Sequence, residues 1–218
     1  MLDATCIVLD FETTGLSPDQ GDRITEVAAI RVANNQIFGH YTSLANAGRG
    51  IPSFITQLTG ISAQMIHTAP PVHQVIHELA RFVGNDPIIA HNASFDRKFL
   101  IAEYRYAGLA SPNNDVICTL RLARRLLPQL PNHKLSTIAS HLGIRFPSDA
   151  HRAEADARVA AGVLLALSHR LAKQHDITVT PDLLTRIAHW PASQWLTRLA
   201  RYKTRVQDST GCDTQQTV

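Results

Sequence analysis

The chain has 218 residues, 44% hydrophobic and 18% charged, the balance of an ordinary globular protein with room for one cored domain and a small appendage. A formal net charge of +3 does not mark a polycation, and the longest apolar runs, such as Val163 to Leu167, are far too short to cross a bilayer. Cys6, Cys118 and Cys212 are widely spaced with no CxxC pair, which supports neither a zinc site nor a disulfide framework and reads as free thiols.

The N-terminus lacks a basic stretch followed by an apolar one, so no secretory signal is expected and the cytoplasm is the default compartment. Thr5 to Phe11 is apolar and β-prone and predicts a buried strand. The cluster of Gly, Ser, Pro and Asp from Gly15 to Asp22 is a turn. Arg23 to Val32 is a second strand, Asn34-Asn35 a hairpin turn, and Gln36 to Leu44 a third strand antiparallel to the second. Ser53 to Leu58 reads as a short helix closed by Gly60. Val72 to Val83 has apolar residues at helical spacing. Pro87 to Ala90 is a short strand. Ser94 to Tyr106 is a helix with Ser94 as its candidate cap, and Asp115 to Cys118 is a fifth strand. Thr119 to Leu127 and Leu135 to Leu142 are helices, the second ended by Gly143. Ala153 to Ala172 is a long apolar helix suited to packing on the sheet. Beyond Pro181 the apolar residues Leu183, Leu184, Ile187, Trp190, Trp195, Leu196 and Leu199 predict one or two short helices broken at Pro191. From Gln207 onward the chain is polar, and a mobile tail is expected. Strands first, then helix and strand in alternation, predict an α/β fold: a central mixed five-stranded sheet flanked by helices. A main domain over residues 1–174 and a helical extension with a polar tail over 175–218 are the expected divisions.

Three short motifs carry chemistry. Asp10 and Glu12 end the first strand two positions apart, so both point to one face while Phe11 points to the other. Adjacent carboxylates repel unless a cation offsets them, and a hard, oxygen-seeking ion such as Mg²⁺ or Mn²⁺ fits. The competing reading is a solvated strand end. His91-Asn92-Ala93-Ser94-Phe95-Asp96 follows the fourth strand, and Asp96 falls in the first helical turn. There it is a candidate ligand or, alternatively, a charge that complements the helix N-terminus. His151-Arg152-Ala153-Glu154-Ala155-Asp156 opens the long helix. An offset of five does not share a helical face, so His151 belongs to the preceding loop and Asp156 to the helix, among small residues that keep it near the core. A carboxylate there calls for a cation or a strong donor, and Arg152 or Arg158 is the alternative to a metal.

Taken together these residues resemble the DEDD superfamily of 3′→5′ exonucleases, in its histidine-containing DEDDh branch. The matching motifs are Val8 to Gly15, His91 to Asp96 and His151 to Asp156, supported by Arg23-Ile24-Thr25-Glu26-Val27-Ala28 and Leu58-Thr59-Gly60-Ile61. The resemblance covers roughly residues 4 to 172 and is similar in flavour to the proofreading subunit of bacterial replicative polymerases and to related stand-alone nucleases. Phe11 stands where the family often has threonine. The resemblance implies a ribonuclease H-like fold and two divalent cations about 4 Å apart. It implies Asp10 as the bridging ligand, Glu12 and Asp156 completing one metal, Asp96 on the other, and His151 as general base. Candidate substrate contacts are Phe11, Thr13, Thr14, Leu58, Thr59, Ile61, His91 and Asn92. The implied substrate is a single-stranded or 3′-end nucleic acid, DNA favoured, with a DNA polymerase as a possible partner.

The competing readings are an RNA-directed exoribonuclease, which the same motifs would serve, and a non-catalytic nucleic-acid or polymerase-binding module, which loss of a carboxylate would favour. Basic residues at Arg121, Arg124, Arg125, Lys134, Arg145 and Arg152, and at Arg198, Arg201, Lys203 and Arg205, are candidates for a phosphate backbone. With Trp190 and Trp195, the second group could grip nucleic acid or a partner. The alternative is a helix packing its tryptophans on the main domain.

Overall fold

The computed structural model describes residues 2–146 and 152–211, the side chains of 207–211 excepted. Five strands form one mixed sheet in the order β3-β2-β1-β4-β5. They are β1 (Cys6–Thr13), β2 (Ile24–Ala33), β3 (Gln36–Leu44), β4 (Ile88–Ala90) and β5 (Val116–Cys118). β1, β2 and β3 pair antiparallel, whereas β4 runs parallel to β1 and β5 parallel to β4. The β2–β3 turn uses Asn34 and Asn35 with φ of 49° and 61°. Positive φ at both central residues is what a two-residue hairpin with native twist requires, and asparagine tolerates it better than most side chains.

β1 lies in the middle of the sheet and is buried on both faces, which explains its unbroken apolar run. Cys6 and Val8 face a core built with α5 (Thr119–Leu126), α6 (Leu135–His141), α7 (Ala153–His175), α8 (Pro181–His189) and α9 (Trp195–Gly211). Ile7, Leu9 and Phe11 face a second core built with α3 (Val72–Val83) and α4 (Ser94–Tyr106). Phe95 and Phe99 of α4 pack with ring centroids 5.1 Å apart, the i, i+4 pair their spacing predicts. α7 is admitted close to the sheet by Ala153, Ala157, Ala160 and Ala161, all buried. Burial pushes the Cys6 thiol up to about 12, as an inert core cysteine. Among the described residues no helix is long and apolar enough to cross a membrane.

Several boundaries differ from the sequence expectation. The two short helices before α3 are α1 (Ser53–Thr59) and α2 (Ala63–Thr68), and the second was not foreseen. Its signal was Ser62, whose side chain caps it by accepting the Met65 N–H at 3.2 Å. Ser94 is not a cap. Asn92 takes a φ of 64°, Ala93 occupies the cap position, and Ser94 already lies in the first turn. α7 runs on to His175, because Lys173 and His175 suit a helix C-terminus. α9 runs through Gly211, so the polar stretch from Gln207 begins as helix. The remainder of the expected tail, 212–218, lies outside the described residues.

Because α7 depends on small residues, Ala161→Leu is expected to lower stability by about 1–3 kcal/mol through overpacking, measured by urea unfolding. An unchanged midpoint would mean that α7 does not sit tightly on the sheet.

Candidate active site

The end of β1 is where the acidic residues meet. Alternation puts Asp10 and Glu12 on the α7 side of the sheet, opposite Ala28 and Glu26 of β2. The last β1–β4 pair is Val8 with Ile89, so the backbone beyond it is open to other partners. The start of α4 fills that place. Asp96, 3% exposed, accepts the N–H of Phe11 and its own N–H. From the opposite side, the first turn of α7 brings in Asp156. Asp10, Glu12 and Asp156 each offer an oxygen within 4.8 Å of the others.

Such crowding is electrostatically costly. The Asp10 carboxyl is held well above its usual range, by burial first and then by the charges of Asp96, Asp156, Glu12 and Glu26. Glu12 is pushed up to about 8, by burial and then by Asp156 and Glu26, with Arg152 opposing. Burial raises Asp96 to about 7 against the two N–H donors that favour its ionised form. All the convergent ligand atoms are oxygens, a donor set that fits a hard divalent cation and not a soft one. Arg158 pairs with Glu154 on the same helix at 2.7 Å, and Arg152 pairs with Glu26 at 2.6 Å.

Two bidentate ion pairs tie the helices that carry the distant carboxylates to the start of β2. Arg152 binds Glu26 through Nε and Nη2, and Glu26 Oε2 also accepts the Ala153 N–H at 2.9 Å. No side chain of its own caps α7, so a strand carboxylate caps it instead, and the Asp156 N–H then takes the Arg152 carbonyl at 3.1 Å. In the second pair Arg23 of the turn before β2 grips Glu103 of α4 at 2.8 and 2.7 Å, with Glu103 only 1% exposed. Its guanidinium also lies 4.6 Å from the Tyr106 ring centroid. Glu26 is the functional residue that the sequence reading quoted without giving it a role. Its signal was a carboxylate inside an otherwise apolar strand beside the Asp10 strand.

The candidate substrate contacts divide. The Phe11 side chain is buried in the α3/α4 core, so only its backbone faces the site. Thr13 and Thr14 are buried. Their hydroxyls brace the following turn by bonding Gly15 O at 2.6 Å and Asp22 Oδ1 at 3.4 Å. A Cβ on Gly15 would sit 2.5 Å from the Asp22 carboxylate and would push it off its bonds to the Ser17 N–H and the Thr14 hydroxyl. Thr59 and Ile61 are buried, and Leu58 is exposed beside Phe54 on one face of α1. The His91 ring is engaged structurally, bonding Thr119 Oγ1 at 2.9 Å and the His133 carbonyl at 3.1 Å. A carbonyl only accepts, so Nε2 carries the proton and Nδ1 accepts from Thr119. Asn92 is exposed at the turn into α4. His151 lies outside the described residues.

Residues 7–164 match the family model described as Exonuclease (RNase T). The chain belongs to the exonuclease family. This exonuclease domain is 39% identical over 170 residues to a DNA polymerase III PolC-type from Oceanobacillus iheyensis, a match over 78% of the chain and 12% of that protein. It is 36% identical over 165 residues to the 3′-5′ exonuclease DinG of Bacillus subtilis, over 76% of the chain and 18% of that protein. The chain thus spans less than a fifth of the length of these two relatives. Among solved structures it resembles exonuclease X in complex with 5′ overhanging duplex DNA, with a TM-score of 0.66, 25% identity, and coverage of 86% of this chain and 99% of that one. The sheet order and flanking helices are those of the ribonuclease H-like fold that such exonucleases share. The family match contains all four acidic residues and ends inside α7, leaving α8 and α9 beyond it.

Burial lowers the pKa of His91 to about 4, so the ring stays neutral in the folded exonuclease domain while the unfolded chain protonates near the usual 6.5. The stabilisation is complete above about 6.5 and is lost as pH falls toward about 4. His91→Gln is therefore expected to flatten the acid limb of the stability–pH curve between those values, relative to the parent. Parallel curves from thermal melts would contradict this.

Proposed function

We propose that this domain is a divalent-metal-dependent 3′→5′ exonuclease that hydrolyses phosphodiester bonds at DNA 3′ ends and releases 5′-mononucleotides. The observation that carries the proposal is the meeting of Asp10, Glu12 and Asp156 within 4.8 Å, with Asp96 as the strongest neighbouring charge on Asp10. With Mg²⁺ or Mn²⁺ bound, Glu12 and Asp156 would hold one ion, Asp96 would serve the other, and Asp10 would contribute to both. Such cations would supply an acidified water and offset the charge that develops on the leaving 3′ oxygen.

The protein's own work is to hold and orient. Phe11 N–H fixes the Asp96 carboxylate, and Glu26 with Arg152 fixes the first turn of α7. His151 is assigned as general base: it takes the proton of the attacking water while the P–O3′ bond breaks, and the shortened strand regains its 3′ hydroxyl proton from solvent. In sequence His151 directly precedes Arg152, whose guanidinium pairs with Glu26. Leu58, exposed on α1, is the contact assigned to the terminal base, and Asn92 is assigned to sugar or phosphate. The DNA preference is supported by relatives named as a DNA polymerase and by the duplex DNA in the exonuclease X complex. The polymerase name also supports a DNA polymerase as working partner.

The test is digestion of 5′-labelled DNA and RNA oligonucleotides of one sequence. DNA is expected to shorten stepwise with Mg²⁺ or Mn²⁺ and not with EDTA, and faster than RNA. Asp10→Ala is expected to lose more than about 100-fold of the rate, the upper figure for a group that merely supports a ligand. Asp10→Ala protein as active as the parent would sink the metal assignment, and faster RNA cleavage would move the domain to the exoribonucleases.

For His151→Ala the expected loss in kcat is about 10²–10⁴-fold, together with loss of the acid limb near pH 6.5 in the pH–rate profile. Full activity at neutral pH would remove His151 from the mechanism.

A further inference from the structure

Beyond the family match, α8 and α9 form a helical pair fixed to the main core. Leu183, Leu184, Ile187 and Ala188 of α8, and Trp195 and Leu199 of α9, are buried in the same cluster as Ile117 and Leu122. With those faces turned inward, the outer flanks border an open cleft of about 480 Å³ lined by Arg186, Trp190, Arg198, Arg201, Tyr202 and Arg205. Arg198, Arg201 and Arg205 follow the i, i+3, i+7 spacing of one helical face. Arg186 of α8 and Trp190, the extended residue that ends it, complete the lining.

The charge in this cleft is poorly offset. Asp182 pairs with Arg186 at 2.6 Å, while Arg198 bonds the neutral amide of Gln194 at 3.0 Å. None of the described lining residues is a carboxylate, and no described carboxylate lies within ion-pair distance of Arg198, Arg201 or Arg205. Like charges three and four apart repel along a helix face, so an anion in the cleft relieves a cost already present. Two aromatic rings stand among the guanidinium groups. Arg186 lies 5.9 Å from the Tyr202 ring centroid, and Arg125 holds the Trp190 carbonyl at 2.8 and 3.1 Å. Guanidinium forks interleaved with flat aromatic faces suit phosphates and unpaired bases together, which neither a free phosphate nor an acidic peptide requires.

A second cleft, of about 600 Å³, lies on the neighbouring face of α8, with Asp115 as the carboxylate among its lining residues. It is lined by Asn92 and Ser94 at the turn into the Asp96 helix, by Arg97, Arg121 and Arg124, and by His189 of α8. α8 is the wall shared by both clefts, showing Thr185 and His189 to one and Arg186 and Trp190 to the other. We propose that the α8–α9 cleft is a second substrate site, holding the phosphate backbone of single-stranded polynucleotide several nucleotides away from the 3′ end. The proposal rests on the exonuclease reading for the end from which the strand arrives.

The test uses the full chain, with Arg198→Gln and Arg201→Gln combined, both at exposed positions. Fluorescence anisotropy in EDTA compares thymidylate oligonucleotides of roughly 20 and about 5 nucleotides, lengths that exceed and fall short of a two-cleft path. The double variant is expected to bind the longer strand about 10-fold more weakly. The slope of log affinity against log salt should shrink by about 1.4, at ~0.7 for each of two phosphates. Binding and Mg²⁺-dependent digestion of the shorter strand should not change. Unchanged affinity and slope for the longer strand overturn the proposal, as does equal loss on both lengths. Tighter parental binding to a blunt duplex, lost in the variant, would assign the cleft to duplex and overturn the single-strand assignment. Failure of the parent to digest the short strand with any divalent cation would instead sink the exonuclease reading, and the length comparison would still judge the cleft.

Discussion

Negative charge gathered at the end of β1 is the constraint around which the rest of the molecule is arranged. Burial, and then the charges of Asp96, Asp156 and Glu26, hold the Asp10 and Glu12 carboxyls above their usual range. Carboxylates do not converge of their own accord, so the scaffold must hold them there with packing and with fixed donors. The central strand supplies two of them without further help, because period-2 alternation on a strand buried on both faces permits only one orientation. The other two arrive on helices and need separate anchors.

Those anchors are the two arginine–glutamate pairs, and they are arranged in mirror fashion. An arginine just before β2 holds a glutamate of α4, and a glutamate within β2 holds the arginine that precedes α7. Both are bidentate, which fixes orientation as well as distance. In each case one partner is largely buried, so removal of the other would leave a charge poorly solvated. Glu26 has a double role. It adds to the repulsion on Asp10 and Glu12, and it also caps α7 through the Ala153 N–H. The site thus uses one of its own repelling charges to set the helix that brings in Asp156.

Much of this architecture was legible in the sequence where the signal was local. The apolar run of β1, the Asn34-Asn35 turn and the helical spacing of Val72 to Val83 each specify an element through neighbours a few residues away. The acidic motifs were legible because strand alternation and helix starts restrict where a side chain can point. What the sequence hid were partnerships across long separations. Glu26 gains its role from Arg152, 126 residues on. His91 looks like a substrate ligand until Thr119 and His133, 28 and 42 residues on, occupy both ring nitrogens. The Ser94 cap was misread for a local reason: the left-handed Asn92 starts the turn early, and asparagine reaches that region often enough to have been considered.

The C-terminal helices bring the charge argument full circle. At the β1 end the fold concentrates carboxylates, and at the α8–α9 flank it concentrates guanidinium groups with few carboxylates among them. A polyanion whose end must approach five carboxylates meets repulsion that Arg152 and any bound cations offset only locally, so attraction elsewhere on the same strand matters. Trp195 and Leu199 lie in the core shared with β5 and α5, so this flank is held at a fixed distance and is not carried on a tether. Two contacts on one rigid body make the second an intramolecular event, and its effective concentration raises overall affinity without any stronger contact at the reacting end. The reacting end can then bind its terminal nucleotide weakly and release it once cleaved, while the remaining strand is retained by groups that take no part in the chemistry.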